Sequence, residues 1–159
     1  MSEQNQEPSN QPPGSVLAAV DFSDGSLAAA AWAAEYAGFK GARLILLHVV
    51  HEPAEKPGFY RAEIDDSSLT LQQAAEKMMR RFVARLSGIS SLPELPGRIE
   101  TAFLAGLPAG RIVEFVELTQ PLVLVVGNHG VSGSHTMEPG GVAKQVIEMA
   151  AAPVLVHKP

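Results

Sequence analysis

The sequence predicts an α/β protein in which βαβ units build a parallel sheet, and three observations carry that prediction. Short apolar runs alternate with longer stretches of three- and four-residue apolar period, the pattern of strands joined by crossover helices. The run Leu122-Val123-Leu124-Val125-Val126 is apolar at every position, as a strand covered on both faces must be. It leads straight into Gly127-Asn128-His129-Gly130, and Gly140-Gly141 then precede a helical stretch, so a buried strand hands over to a helix through glycines.

Five strands and four helices can be placed in order. Residues 1–14 are rich in Gln, Asn, Glu, Ser and Pro and read as a disordered tail; residues 15–158 read as a single domain, since 159 residues suffice for one core. Ser15 to Val20 is the first strand. Asp21-Phe22-Ser23-Asp24-Gly25-Ser26 is a turn offering several helix caps, with Ser23 read as the cap, ahead of an alanine-rich helix from about Leu27 to Gly38. Arg43 to Val50 is the second strand, with His48 read as a strand histidine satisfied locally.

The stretch from His51 to Ser68 contains Pro53, Pro57 and Gly58 and reads as an irregular excursion that ends in a cap at Asp65-Asp66-Ser67-Ser68. From Leu69, the spacing of Leu71, Ala74, Ala75, Met78, Phe82 and Leu86 predicts an amphipathic helix with Met78 and Met79 in the core. Lys77, Arg80, Arg81 and Arg85 are read as a solvated cationic last turn rather than an anion site. Pro93 to Gly97 is a linker into a third strand, Arg98 to Leu104, and Gly106-Leu107-Pro108 opens a helix to about Leu118 with proline in its first turn. Pro153 to Val156 closes the sheet. A proline-led apolar edge strand calls for cover, so a homodimer through Pro153 to His157 is expected.

Composition removes several function classes. With 46% apolar and 18% charged residues and a net charge of −5, the chain has no basic field for nucleic acid. It has no cysteine, hence neither disulfides nor thiolate–metal sites, and no apolar stretch reaches the roughly 18 residues needed to cross a bilayer. No signal-peptide run is present either, so a cytoplasmic location is expected. His48, His51, His129, His135 and His157 show no metal-ligand spacing. Neither G-x4-G-K-S/T nor a G-x-G-x-x-G after the first strand occurs, which argues against a P-loop ATPase and a dinucleotide dehydrogenase. No partnered nucleophile is visible, and no catalytic residue is assigned.

What remains is the glycine loop, spaced G-x2-G-x9-G at Gly127, Gly130 and Gly140. Glycine lets amide N–H groups approach an anion, and the following helix adds its positive dipole end, so the loop is a candidate phosphate cradle. Asp21 carries two acceptor oxygens suited to ribose hydroxyls or an adenine amino group, and is equally suited to a turn.

Taken together, Val20-Asp21-Phe22-Ser23, the alanine-rich helix, Leu47-His48-Val49, Gly106-Leu107-Pro108, the glycine spacing and the terminal Pro153-Val154-Leu155-Val156 resemble the universal stress protein family over about residues 15–158. The resemblance implies an open twisted five-stranded parallel sheet of order 3-2-1-4-5 with helices on both faces. It also implies an adenine nucleotide, ATP, ADP or AMP, with Asp21 and Val49 at the adenosine and Gly127, Gly130, Gly140, Gly141 and Val142 at the ribose and phosphates. That order makes the first and fourth strands neighbours with a crevice at their carboxyl ends.

One residue departs from the family pattern. Gly141 stands where nucleotide-binding members usually carry serine or threonine. As a helix cap, glycine costs only a few tenths of a kcal/mol relative to serine. The missing hydroxyl matters more: a hydrogen bond to a charged group is worth about 1.5–3 kcal/mol, or about 10- to 100-fold in affinity for the terminal phosphates. The segment Val131 to Pro139 holds no Arg or Lys, and Glu138 adds negative charge that a bound Mg2+ would offset, while Ser132, Ser134 and Thr136 offer hydroxyls. The sequence therefore predicts a regulatory adenine-nucleotide binder whose binding is either weaker than is usual or better for AMP or ADP than for ATP. The alternatives are a dimeric scaffold of the same fold that has lost the nucleotide, and a slow ATP hydrolase drawing on His129, Asp21 or Glu138.

Overall fold

A computed structural model describes residues 14–52, 54, 57–89, 99–130 and 139–158. Strands β1 (Ser15–Ala19), β2 (Arg43–Val50), β3 (Ile99–Ala105), β4 (Val123–Gly127) and β5 (Val154–His157) form one all-parallel sheet of order β3-β2-β1-β4-β5, the order expected. The helices are α1 (Asp24–Lys40), α2 (Phe59–Glu63), α3 (Leu71–Ile89), α4 (Pro108–Thr119) and α5 (Gly141–Met149). Sequence periodicity anticipates all of these but α2, a single turn too short to carry a period. The linker at Pro93 to Gly97, and Gly133, His135 and Glu138, lie outside the described residues.

Strand alternation sorts the helices onto two faces. Val16, Ala18, Leu44, Leu46, Val123 and Val125 point to one side, where they pack with α1 and with Met79, Phe82 and Leu86 of α3. Leu17, Ile45, Leu47, Leu124 and Val126 point to the other, against Ile112, Val113 and Val116 of α4 and Ala143 and Val146 of α5. Each such large aliphatic side chain contributes about 1.5–3 kcal/mol by leaving water. A third cluster joins Phe59, Tyr60 and Ile64 to Ala74, Ala75 and Met78, seating α2 on α3. Both methionines are core residues, as their helical spacing predicts.

Local chemistry sets the helix ends and corrects three boundaries. α1 begins at Asp24, earlier than expected, because the Ser23 side chain accepts from the Ser26 amide at 3.1 Å. α3 is capped by Thr70 and Gln73: the Thr70 hydroxyl accepts from the Gln73 amide at 3.1 Å and Gln73 Oε1 accepts from the Thr70 amide at 3.0 Å. Asp66 and Ser68 do not cap it; the Ser68 amide and hydroxyl donate to Asp66 within a separate turn. The cationic last turn expected on α3 is also absent, since its basic residues lie further back along the helix. Arg85 instead pairs with Asp24 at the start of α1 at 2.9 Å, and Arg81 donates to the Glu63 carbonyl at 3.3 Å.

β5 occupies one edge of the sheet, with all four residues half-buried. No helix among the described residues is long and apolar enough to cross a membrane.

Candidate functional site

Three connections meet at the carboxyl end of the sheet: the β1–α1 turn, the end of β2, and the β4–α5 loop. β1 and β4 are hydrogen-bonded neighbours, while the helices that follow them lie on opposite faces. A topological switch point of this kind leaves a crevice at the strand ends.

Asp21 sits at the lip of that crevice. Its Oδ1 accepts from both the Ser23 amide, at 3.1 Å, and the Ser23 hydroxyl, at 2.5 Å. The next residue, Phe22, takes a left-handed backbone conformation with φ of 67°. For a non-glycine residue this costs about 1–2 kcal/mol. Burial of the ring offsets the cost: Phe22 stacks on His48 with centroids 4.2 Å apart and meets Phe82 edge-on at 5.9 Å.

The loop after β4 lies directly against this turn. A Cβ added at Gly130 would strike Asp21 Oδ2, so a larger residue there would have to turn the carboxylate aside. A Cβ on Gly25 would come 3.2 Å from the His129 carbonyl, a second close approach between the same two segments. At the far end of the loop the Gly140 amide donates to the Asn128 carbonyl at 2.7 Å, and a Cβ on Gly140 would crowd that carbonyl at 3.3 Å and His129 Nδ1 at 3.5 Å. Gly127 ends β4 in register with His157 of β5.

Gly140, not Gly141, is the N-cap of α5, and it makes no side-chain capping bond. Gly141 is the first helical residue, with nothing within 4 Å of where its Cβ would stand, and Val142 follows it half exposed. The space for a serine or threonine side chain is therefore there. Val49 stands two residues beyond Leu47, the partner of Ala19, so the continued register brings it level with Asp21. Its side chain belongs to the cluster on the α4 and α5 side and is 8% exposed. Gly130 is thus brought against Asp21 and Gly140 against Asn128 and His129, whereas the Val49 side chain is packed into the core on the α4 and α5 side.

Sequence reasoning missed two residues here. Asn128 is 3% exposed and ties three elements at once: its amide donates to the His157 carbonyl at 3.0 Å, its carbonyl receives the Gly140 amide, and its buried Oδ1 has no partner among the described residues. An asparagine between motif glycines is the signal that could have drawn attention to it. Tyr60 is the other. His48 Nδ1 faces the Val20 carbonyl at 2.8 Å and must donate to it, so Nε2 is the acceptor and takes the Tyr60 hydroxyl proton at 2.8 Å. The Tyr60 oxygen in turn accepts from the His51 amide at 3.1 Å. Burial lowers the His48 pKa, against smaller opposing effects from the Val20 bond and the Asp21 charge, and burial raises that of Tyr60. His48 is locally satisfied, as expected.

The described residues contain no group of three or more His, Cys, Asp or Glu able to hold a metal ion. A glycine-lined strand end leading to a helix start, beside one carboxylate, has the chemistry for a ligand carrying both an anion and hydroxyl or amino donors.

Comparisons with known proteins agree with this architecture. The model of the universal stress protein family matches residues 14–158. A universal stress protein of Mycobacterium tuberculosis is 31% identical over 154 residues, covering 95% of this chain and 46% of the relative. The chain thus spans about half the length of such relatives. Among solved structures, the universal stress protein UspA from Lactobacillus plantarum superposes with a TM-score of 0.68 at 25% identity, covering 92% of this chain and 99% of that one. A universal stress protein from Archaeoglobus fulgidus in complex with dAMP gives 0.62 at 20% identity over 90% of this chain and 96% of its own. Another universal stress protein, in complex with cAMP, gives 0.60 at 24% identity over 90% and 94%. Family model and fold converge, and the chain belongs to the universal stress protein family.

Proposed function

We propose that this chain is a stress-response regulatory module that binds an adenine nucleotide at the carboxyl ends of β1 and β4. The observation that carries the reading is the seating of Gly130 over Asp21, where a Cβ would strike the carboxylate. It joins an acceptor for ribose or adenine to a glycine-lined route to the α5 amides. Asp21 and Val49 would border the adenosine; Gly127, Gly130, Gly140, Gly141 and Val142 would face ribose and phosphates. The dAMP and cAMP complexes of similar folds support an adenine monophosphate as the first ligand to try. Absence of a hydroxyl at Gly141 supports a preference for AMP or ADP over ATP. Mg2+ would enter only with a polyphosphate.

Calorimetric titration of AMP, ADP and ATP, the last with and without Mg2+, tests this. Saturation below millimolar with AMP or ADP tighter than ATP is expected; none with any of the three rejects it. In that event the competing reading, a scaffold without nucleotide, stands on the same Gly141. Either form would pair through the half-buried Val154–His157 edge, flanked by exposed Ile147 and Met149 of α5. Light scattering at micromolar concentration should give a dimer mass. The reading also carries one domain over 15–158 behind a tail over 1–14, and a cytoplasmic location, which cell fractionation checks.

A further inference from the structure

Asp21 is bracketed by residues that one ring holds. On its N-terminal side the Val20 carbonyl accepts from His48 Nδ1 at 2.8 Å; on its C-terminal side Phe22 stacks on the same imidazole at 4.2 Å with planes 29° apart. The pose of the ring is not set by β2 alone. Nε2 is buried and needs a donor, and among the described residues the one bonded to it is the Tyr60 hydroxyl on α2. The Val20 carbonyl, which can only accept, puts the hydrogen on Nδ1, and the Tyr60 hydroxyl then satisfies the lone pair left on Nε2 and holds the ring from the α2 side. Tyr60 is itself fixed by the His51 amide, by Phe59 edge-on at 5.2 Å, and by the cluster that seats α2 on α3.

We propose that the His48–Tyr60 pair is a positioning element that couples the docking of α2 to the placement of Asp21. With Tyr60 in place, the imidazole is locked and the β1–α1 turn holds its left-handed Phe22. Without the hydroxyl, Nε2 is left buried with no donor, the ring moves to find one, the Val20 bond is strained, and the Asp21–Ser23 turn loosens. The excursion after β2 then acts as a regulatory arm: a partner or modification that lifts α2 off α3 weakens the carboxylate's grip on ligand without touching the ligand. The effect on nucleotide rests on the function proposed above; the coupling between the two segments does not.

The test is amide hydrogen exchange on the full chain, wild type against Tyr60→Phe, without and then with AMP as probe. The substitution keeps the ring and its packing. Exchange is expected to rise about 10-fold in segments 57–64 and 20–26, including the Ser23 amide, while α4 segment 112–116 on the opposite face stays protected. AMP affinity should fall about 10-fold alongside. A rise in 57–64 alone, or an equal rise in the α4 control, overturns the proposal. If wild type binds no AMP, the nucleotide reading fails while the exchange result still decides the coupling. Should the Tyr60→Phe chain not fold, wild type decides: in urea below its unfolding transition, protection of 20–26 and 57–64 must fall along one line, and separate lines overturn the coupling.

Discussion

Two helices start at the same end of the sheet, on opposite faces of it, and solve the same chemical problem in opposite ways. α1 caps itself: Ser23 accepts from Ser26, and Asp21 accepts from Ser23. α5 starts from Gly140 and Gly141 and has no side-chain cap. Every helix start leaves amide donors without intrahelical partners. At α1 side chains of the turn meet that need; at α5 the N-cap is a glycine with no side chain to offer. The difference explains why the carboxylate stands on the first turn and the glycines on the second. One side of the crevice is prearranged by its own side chains, the other by their removal.

The largest effect should come from forcing the two turns apart. Gly130→Ala places a methyl against Asp21, and overpacking of this kind costs about 1–3 kcal/mol. A lowered urea midpoint together with loss of AMP saturation below millimolar would bear this out; unchanged binding would detach the loop from the carboxylate. Giving α5 a hydroxyl should make the two helix starts alike. Gly141→Ser has room and should tighten ATP by about 10- to 100-fold while leaving the Asp21 turn alone, and Gly141→Ala, which adds no hydroxyl, should leave ATP affinity unchanged in the same titration.

Removing the cap of α1 is the converse experiment. Ser23→Ala should cost about 1 kcal/mol in urea unfolding, because Ser26 loses its acceptor. Acid should weaken the same turn by a different route. Burial holds the His48 pKa below its ordinary 6.5, so the unfolded chain takes up a proton that the folded chain refuses. Its stabilising contribution is complete above that value and is lost as pH falls from there through the folded pKa. His48→Gln should flatten this part of the stability–pH curve, measured by thermal unfolding from neutral to mildly acid buffer.

These two turns also mark where the sequence is readable and where it is not. The glycine spacing, the β2 limits Arg43–Val50 and the Pro108 start of α4 are local features, each set by the residue that carries it. Ser23 is legible as a cap because capping is a contact three residues long. The left-handed Phe22 is not, since what makes that backbone tolerable is His48 and Phe82, brought in by the sheet and by α3. α2 is invisible for a related reason: its stability comes from seating Phe59 and Tyr60 on α3. Arg85 illustrates the same limit among charges: it is exposed, as its sequence position predicts, but its partner Asp24 on another helix is not a local feature.

Beyond Ser26 and Leu27 in its first turn, the buried stripe of α1 is Ala29, Ala30, Ala33, Ala34 and Ala37. Side chains this short let the helix axis ride low on β1 and β4, and so set the height at which Ser23 and Asp21 stand above the strand ends. The outer surface of the same rod carries another chemistry, with Glu35 and Phe39 in the open and Lys40 over the Phe39 ring, while half-buried Trp32 and Tyr36 stack between the two flanks against the core cluster. Mounting and display are thereby assigned to different flanks of one helix. Substitution on the outer flank can alter what the molecule shows to its surroundings and leave the carboxylate where it was, whereas a single added methylene on the inner flank would tilt the rod and shift the turn it carries.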